Sequence, residues 1–246
     1  MNQITSVNNP LIIETAKLKI KKYRDRQKAF LVEGYHLVEE SFRLGLLTKV
    51  FALKADDLEM FSCPGYLVNE AIIAKLSTTK SPQPIIGVVA MPKTENTRFK
   101  RILLLDRLQD PGNLGTLIRS AAALGMDAII ASSDTVDCYN EKVIRSTQGA
   151  LFRIPILYRD LTKEIGKLKE KGFTIYGTGL KGGIKPKPVE KQDRYALVLG
   201  NEAQGVSPEI NQLVDRILMI PMQNGVESLN VGVAGGILMY CLNQDQ

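Results

Sequence analysis

Short apolar runs recur through the second part of this chain: Ile102-Leu103-Leu104-Leu105, Ala128-Ile129-Ile130-Ala131, Ala196-Leu197-Val198-Leu199 and Ile217-Leu218-Met219-Ile220. Each is too short for a buried helix and too uniformly apolar for a strand with one wet face. Such runs are the mark of strands covered on both sides. Segments with helical spacing lie between them at Gly112 to Leu124, Lys142 to Thr147 and Leu161 to Lys171. Phe173 to Tyr176 adds another strand, and Ser228 to Leu242 closes the chain as a helix rich in small residues. Alternating strands and helices predict a mostly parallel sheet with helices on both faces, an α/β architecture.

The first ninety or so residues read differently. A basic helix is expected from Pro10 to about Lys28, after the start signal Ser6-Val7-Asn8-Asn9. Strands are expected at Phe30 to Val32, Val50 to Leu53, Tyr66 to Val68 and Ile85 to Ala90, and helices at Gly34 to Leu44 and Glu70 to Leu76. The polar stretch Met91 to Thr97 has a proline and no apolar period, so it reads as a linker. The expected domains are therefore residues 1–93, a small α/β unit, and residues 98–246, the larger one.

Composition narrows the chemistry. One histidine, His36, sits among apolar residues with helical spacing and reads as structural, which leaves no His-rich metal site and little room for a Ser-His-Asp hydrolase. Cys63, Cys138 and Cys241 are odd in number and far apart, implying neither a disulfide framework nor a zinc site. No apolar run is long enough to cross a bilayer, and the residues after Met1 lack a secretion pattern, so a cytoplasmic protein without membrane partners is expected. The net charge is +6, and Lys17, Lys19, Lys21, Lys22, Arg24, Arg26 and Lys28 face only Glu14 and Asp25 in the same stretch. That arm is either a solvated helix face or a phosphate-contacting surface that releases counterions from a polyanion.

Gly177-Thr178-Gly179-Leu180-Lys181-Gly182 matches the dinucleotide fingerprint. The fingerprint needs a helix next, whose free N–H groups meet the pyrophosphate, but Gly183-Ile184-Lys185-Pro186-Lys187-Pro188 predicts a loop. Three other segments lie at the C-terminal ends of predicted strands, where open α/β sheets place ligands. They are Asp106-Arg107-Leu108-Gln109-Asp110-Pro111-Gly112-Asn113 running on to Arg119, then Gly200-Asn201-Glu202-Ala203-Gln204-Gly205, and Ile220-Pro221-Met222 leading to Ser228-Leu229-Asn230-Val231. Asn113 is placed to cap the helix that carries Arg119.

In order and content these three segments resemble the motifs of the SpoU–TrmH branch of the SPOUT RNA methyltransferases, over residues 101–242. Gly232 and Gly235-Gly236 depart from the usual Ser and Ala-Gly of that family. The first domain resembles the substrate-binding domain often fused to it, through Asn9-Pro10, Phe30-Leu31-Val32-Glu33-Gly34, Leu76-Ser77 and Pro82-Gln83, with Pro84 in place of a common Gly.

The resemblance implies a trefoil-knotted catalytic domain and S-adenosylmethionine as cofactor, with S-adenosylhomocysteine as product. It assigns Arg119, Asn113, Glu202, Ser228 and Asn230 to catalysis, and Thr178, Gly179, Leu199, Gly200, Ile220, Met222, Ser228, Leu229 and Asn230 to the cofactor. It implies no metal, a homodimer, and ribosomal RNA methylated at a ribose 2′-hydroxyl, with transfer RNA the alternative. Lys17, Lys19, Lys21, Lys22, Arg24 and Arg26 become candidate RNA contacts. A non-catalytic RNA-binding factor and a base methyltransferase are the rival readings. Arg119 is expected to anchor a phosphate rather than take a proton, because a guanidinium stays charged.

Overall fold

The computed structural model describes residues 2–92, 98–180, 182–186 and 192–243. Lys181, Lys187, Pro188 and residues 93–97 of the expected linker lie outside the described residues. The chain forms two compact units, Met1–Lys93 and Thr94–Gln246.

The first unit runs β1 (Asn2–Gln3), α1 (Pro10–Ala16), α2 (Lys21–Gln27), β2 (Ala29–Glu33), α3 (Tyr35–Arg43), β3 (Leu47–Ala52), β4 (Gly65–Leu67), α4 (Glu70–Leu76) and β5 (Ile85–Ala90). Its sheet has the order β1-β4-β3-β5-β2. The β1–β4 and β3–β4 pairs are parallel, whereas β5 runs antiparallel to both β2 and β3. A cluster that includes Ile12, Leu18, Phe51, Ile72, Leu76 and Ile86 fills one face.

The basic arm is not one helix. A 3-10 turn over Lys17–Lys19 follows α1, and Ile20 is extended (φ −101°, ψ 128°) before α2 begins. The break lets Leu18 enter the core, where it is 2% exposed. It also frees carbonyls, and Arg24 takes two of them: its Nη1 donates to Leu18 O at 3.0 Å and Lys19 O at 2.8 Å. Arg24 is therefore buried inside the unit, which corrects its expected place among the RNA contacts. Glu33, at the end of β2, gathers the other side of the unit. Its carboxylate accepts from Ser77 Oγ (2.7 Å), Thr79 Oγ1 (2.9 Å) and Gln83 N (2.7 Å), so the scattered motif residues Glu33, Ser77 and Gln83 meet at one point.

The second unit runs β6 (Arg101–Leu105), α5 (Pro111–Ala123), β7 (Ala128–Ala131), α6 (Glu141–Thr147), β8 (Ile156–Tyr158), α7 (Leu161–Glu170), β9 (Thr174–Thr178), β10 (Tyr195–Leu199), α8 (Pro208–Asn211), β11 (Arg216–Leu218) and α9 (Val231–Leu242). Its six strands lie in the order β11-β9-β10-β6-β7-β8, every pair parallel. All residues of β7 and β10 are buried, as their unbroken apolar runs demand. The chain builds β6, β7 and β8 outward in one direction, then returns to lay β9 and β10 on the other side of β6. The junction of β6 and β10 is thus a switch point, with Leu105 beside Leu199 at its C-terminal edge.

Differences from the sequence reading have local causes. Helix α5 begins at Pro111 and is capped by Asp110, whose side chain accepts from Asn113 N at 2.7 Å; Asn113 lies inside the helix and is not its cap. Helix α9 begins at Val231, three residues later than expected, because Asn230 caps it by accepting from Gly232 N (2.9 Å) and Val233 N (3.3 Å). Strand β11 stops at Leu218, which leaves Ile220 in the following loop. The edge strand β8 went unread, its three residues being only half-buried. No helix among the described residues is long and apolar enough to cross a membrane.

Helices α5 and α6 touch where α5 has no side chain. A Cβ on Gly115 would lie 2.3 Å from Ser146 Cβ and 3.1 Å from Val143 O. Replacing Gly115 by Ala should force the helices apart, with an overpacking cost of about 1–3 kcal/mol. A parallel denaturant titration of parent and variant checks this; equal midpoints would show that the contact is loose.

Candidate active site

Four strand ends meet at one edge of the second sheet. The register sets Leu218 of β11 beside Thr178 of β9, and Leu199 of β10 beside Leu105 of β6. Side-chain and backbone bonds tie them together: Thr178 Oγ1 donates to Val198 O (3.1 Å), Gly179 N to Leu218 O (3.1 Å) and Asp106 N to Leu199 O (2.9 Å). Thr178, Gly179, Leu199 and Gly200 therefore occupy one edge, with Ile220 and Met222 on the loop that leaves β11.

The turn after β10 admits only glycine at its start. A Cβ on Gly200 would stand 2.1 Å from the backbone of Gly205 and Val206. The turn closes through Asn201 N to Gly205 O (3.0 Å) and Gly205 N to Asn201 O (2.8 Å). Asn201 braces it twice more: Oδ1 accepts from Ala203 N (2.9 Å) and Gln204 N (3.1 Å), and Nδ2 donates to Arg107 O (2.9 Å). Arg107 itself sits in the left-handed region (φ 56°), its N–H donating to Ser132 Oγ at 2.9 Å. The buried Asp106 accepts from Ser207 N at 2.7 Å and so holds the far end of the same turn.

This bracing aims Glu202 at the start of α5. Its carboxylate accepts from Gln109 N (3.3 Å), Asp110 N (3.1 Å) and Asn113 Nδ2 (3.1 Å). Partial burial pushes the carboxyl's pKa up, but the hydrogen bonds from Asn113 and the backbone outweigh it and hold the group below its ordinary value. The other end of the Asn113 amide is also engaged, since Asn230 Nδ2 donates to Asn113 Oδ1 at 2.8 Å. A single line of hydrogen bonds thus runs from the β10 turn through α5 to the cap of α9.

Of the catalytic candidates, Asn113, Glu202 and Asn230 are linked directly. Arg119 is not in that line. It lies six residues along α5 from Asn113, about 9 Å of helix rise, is exposed, and makes no ion pair or hydrogen bond among the described residues. Ser228 is exposed on the loop before α9 and joins no hydrogen bond of the site; Leu229 beside it is half-buried. Sequence reasoning missed Asp110, Asn201 and Asp106. Asp110 had a readable signal, an acidic residue directly before a proline at the first helical position. The other two act through backbone groups that no local pattern reveals.

The edge fits a cofactor held mainly through backbone groups. The N–H groups of Ile220, Met222 and Leu229 find no acceptor among the described residues, while the side chains of all three are half-buried. Unpaired donors on half-buried residues, beside a turn that excludes side chains, are what an extended polar ligand needs. The false dinucleotide fingerprint is a strand end followed by a loop: Gly182 is left-handed (φ 70°) and Ile184 bridges to Leu218.

Replacing Glu202 by Gln keeps the shape but sets an amide N–H₂ against backbone donors. Because the folded pKa is depressed, the carboxylate stabilises the folded chain above its unfolded value, and that contribution is lost as pH falls through the folded one. The parent should therefore melt higher than Glu202→Gln at neutral pH, with the gap closing on acidification. A gap independent of pH in matched melts would show that the charge is irrelevant.

Comparison with known proteins agrees with this geometry. Residues 100–240 match the SpoU rRNA Methylase family, and residues 9–87 match the MRM3-like substrate binding domain. The chain is 38% identical to the Bacillus subtilis 23S rRNA (guanosine(2553)-2′-O)-methyltransferase RlmP, over 98% of this chain and 99% of that protein. Its fold superposes on the rRNA methyltransferase of Sinorhizobium meliloti with a TM-score of 0.86 at 28% identity, covering 99% and 97% of the two chains. The AdoMet-bound structure of the S. meliloti rRNA methyltransferase gives 0.85 at 27% identity, with the same coverage. An all-parallel sheet with its three motif loops joined at the switch point, in a chain matched end to end, makes this protein a member of the SpoU rRNA methylase family.

Proposed function

We propose that this chain transfers the methyl group of S-adenosylmethionine to a ribose 2′-hydroxyl of ribosomal RNA in the cytoplasm. The observation that carries the reading is the direct linkage of Glu202, Asn113 and Asn230 across three motif loops, in a chain similar throughout its length to a ribose methyltransferase. The intact line also disfavours a non-catalytic binder. Residues 1–93 serve as the RNA substrate-binding domain and 98–246 as the methyltransferase domain.

S-Adenosylmethionine supplies an already activated methyl group, so the protein's tasks are alignment and charge stabilisation. Gly200, Leu199, Ile220, Met222 and Leu229 would hold the cofactor at the strand edge, with Thr178 and Gly179 closing the adjacent side. Asn113 cannot rotate its amide without breaking a bond to Glu202 or Asn230, so the start of α5 presents a fixed surface to substrate. Arg119, charged, exposed and without a partner among the described residues, anchors the phosphate next to the reacting ribose and stabilises the oxyanion as the 2′-hydroxyl loses its proton to phosphate or water. Asn230 positions the loop before α9, and Ser228, exposed on that loop, orients substrate or cofactor. On the outer side of α9, Val233, Ile237 and Tyr240 recur at helical spacing and are 50%, 37% and 56% exposed, an apolar stripe suited to a second copy in a homodimer.

The arm contacts RNA through Lys19, Lys21, Lys22 and Arg26, all exposed. Lys17 contributes less, being paired with Glu14 and set over the Tyr23 ring at 5.6 Å. Lys19 is partly desolvated, which lowers its pKa, though Glu33 nearby opposes the shift.

Labelled methyl from S-adenosylmethionine should appear in RNA at linkages that resist alkali, because a methylated 2′-oxygen cannot attack its phosphate. Methylated bases with open 2′-hydroxyls would overturn the ribose reading. Arg119→Ala should keep cofactor affinity and lose at least tenfold in turnover, about 1.4 kcal/mol; parental turnover would remove Arg119 from the mechanism.

Replacing Lys19, Lys21 and Lys22 together by Gln should flatten the slope of log RNA affinity against log salt by about 2 for a single strand. Arg24→Gln should leave that slope alone and instead lower the melting temperature, since the buried Leu18 carbonyl and the part-buried Lys19 carbonyl lose their donor. Identical salt slopes for parent and triple variant would make the arm a solvated surface.

A further inference from the structure

Beside Arg119, the contact between α5 and α6 leaves two cations of α6, Lys142 and Arg145, that the proposed mechanism does not use. Gly115 of α5 lies directly against Ser146 of α6. At about 100° per residue, Arg119 lies about 40° round α5 from Gly115, and Lys142 lies about 40° round α6 from Ser146. Both are displaced away from the core. On α5 the opposite displacement leads to the buried Leu114 and Ile118, and on α6 to the buried Val143 and Thr147. Arg119 lies one helical turn past the contact on α5 and Lys142 one turn before it on α6, and both are exposed. Arg145 follows Lys142 further round the same open side, with its side chain 46% exposed.

The remaining boundary of this strip is α9. Thr116, a short step round α5 beyond Arg119, faces Gly232: a Cβ there would lie 3.1 Å from Thr116 Cγ2. The exposed residues Gly112, Thr116, Arg119 and Ala123 of α5 therefore form a strip bounded by α6 on one side and α9 on the other. Its α6 side carries Lys142, which makes no ion pair among the described residues, and Arg145, paired with Glu141 at 3.6 Å. The α9 side offers no charge, since Val231 to Leu242 contains no ionisable side chain apart from Tyr240 and Cys241. One anion-seeking flank beside an uncharged one suits a strand whose phosphates lie to one side and whose sugars and bases lie to the other.

We propose that Lys142 and Arg145 of α6, together with Arg119, contact successive phosphates of the RNA strand and lead the target ribose toward the strand edge. This rests on the methyltransferase reading above and extends it to the surface of the catalytic unit that receives the RNA backbone. Glu141 then acts as a brake, because its carboxylate competes with phosphate for Arg145.

The test measures binding of a labelled, mixed-sequence single-stranded oligoribonucleotide over a salt series, with S-adenosylmethionine affinity measured by calorimetry on the same proteins. The double variant Lys142→Gln, Arg145→Gln should flatten the log–log salt slope by about 1.4, two phosphates at about 0.7 each, and leave cofactor affinity unchanged. Glu141→Gln should move the other way and bind RNA more tightly. Lys142→Arg should bind as the parent does. A parental slope in the double variant, or unchanged or weaker binding in Glu141→Gln, would overturn the proposal. The Glu141→Gln arm decides alone if the double variant fails to fold. If the parent binds RNA with this salt signature but methylates nothing, the methyltransferase reading fails while the phosphate surface stands.

Discussion

The second unit depends on one carboxylate. Glu202 reaches from the turn after β10 to the unpaired N–H groups at the head of α5, and takes the Asn113 amide as well. A helix start already has spare donors and a favourable potential for an anion, so the carboxylate finds an environment prepared by backbone alone. Asp110 uses the same potential to cap the helix, and the two acids share the available donors without competing for one N–H. Through Asn113 the constraint passes on to Asn230, and hence to the direction of α9. Three loops that are distant in sequence are in this way held relative to one another by side chains and not by their own stiffness.

A second constraint comes from absent side chains. Gly200 lets the β10 turn fold onto its own strand, Gly115 lets α6 lie against α5, and Gly235 lets α9 lie over Leu117 and Leu199. A Cβ at that last position would come within 2.4 Å of Leu117 and 2.6 Å of Leu199. The Gly232 and Gly235 positions, read from the sequence as departures from a family pattern, are sites of close helix packing: Gly232 against Thr116 and Gly235 against the core. The small-residue helix is accordingly fitted to the core through Gly232, Gly235, Leu238 and Met239, while Val233, Ile237 and Tyr240 stay exposed on its other side.

Most strands and helices were legible because burial on two faces writes itself as an unbroken apolar run, and Ala128–Ala131 and Glu70–Leu76 were placed to the residue. The errors share a cause. The helix starts at Pro111 and Val231, and the break at Ile20, are set by caps and by Arg24, which are single side chains satisfying backbone groups. Such bonds carry no periodicity. The motif residues were found by their order along the chain, but their mutual linkage was not visible, since Glu202 and Asn113 are 89 positions apart and Asn230 and Asn113 are 117 apart. The surplus of positive charge in the arm was equally plain, yet charge counting could not tell the inward-facing Arg24 from the outward-facing Lys21 and Lys22.

The placement of β10 between β6 and β9 has a consequence for how the chain reaches this state. Its partner β6 precedes it by more than ninety residues, and the pairing Leu105 with Leu199 closes a loop that contains three other strands. Long closures cost chain entropy before they return any contact, so the central slot of the sheet is filled late and slowly. Everything that the strand edge holds together, Glu202 included, comes into existence only at that step. A partly folded chain would thus own its helices and outer strands but none of the convergence at the switch point, and capacity to bind at that edge would mature with the last strand to be inserted.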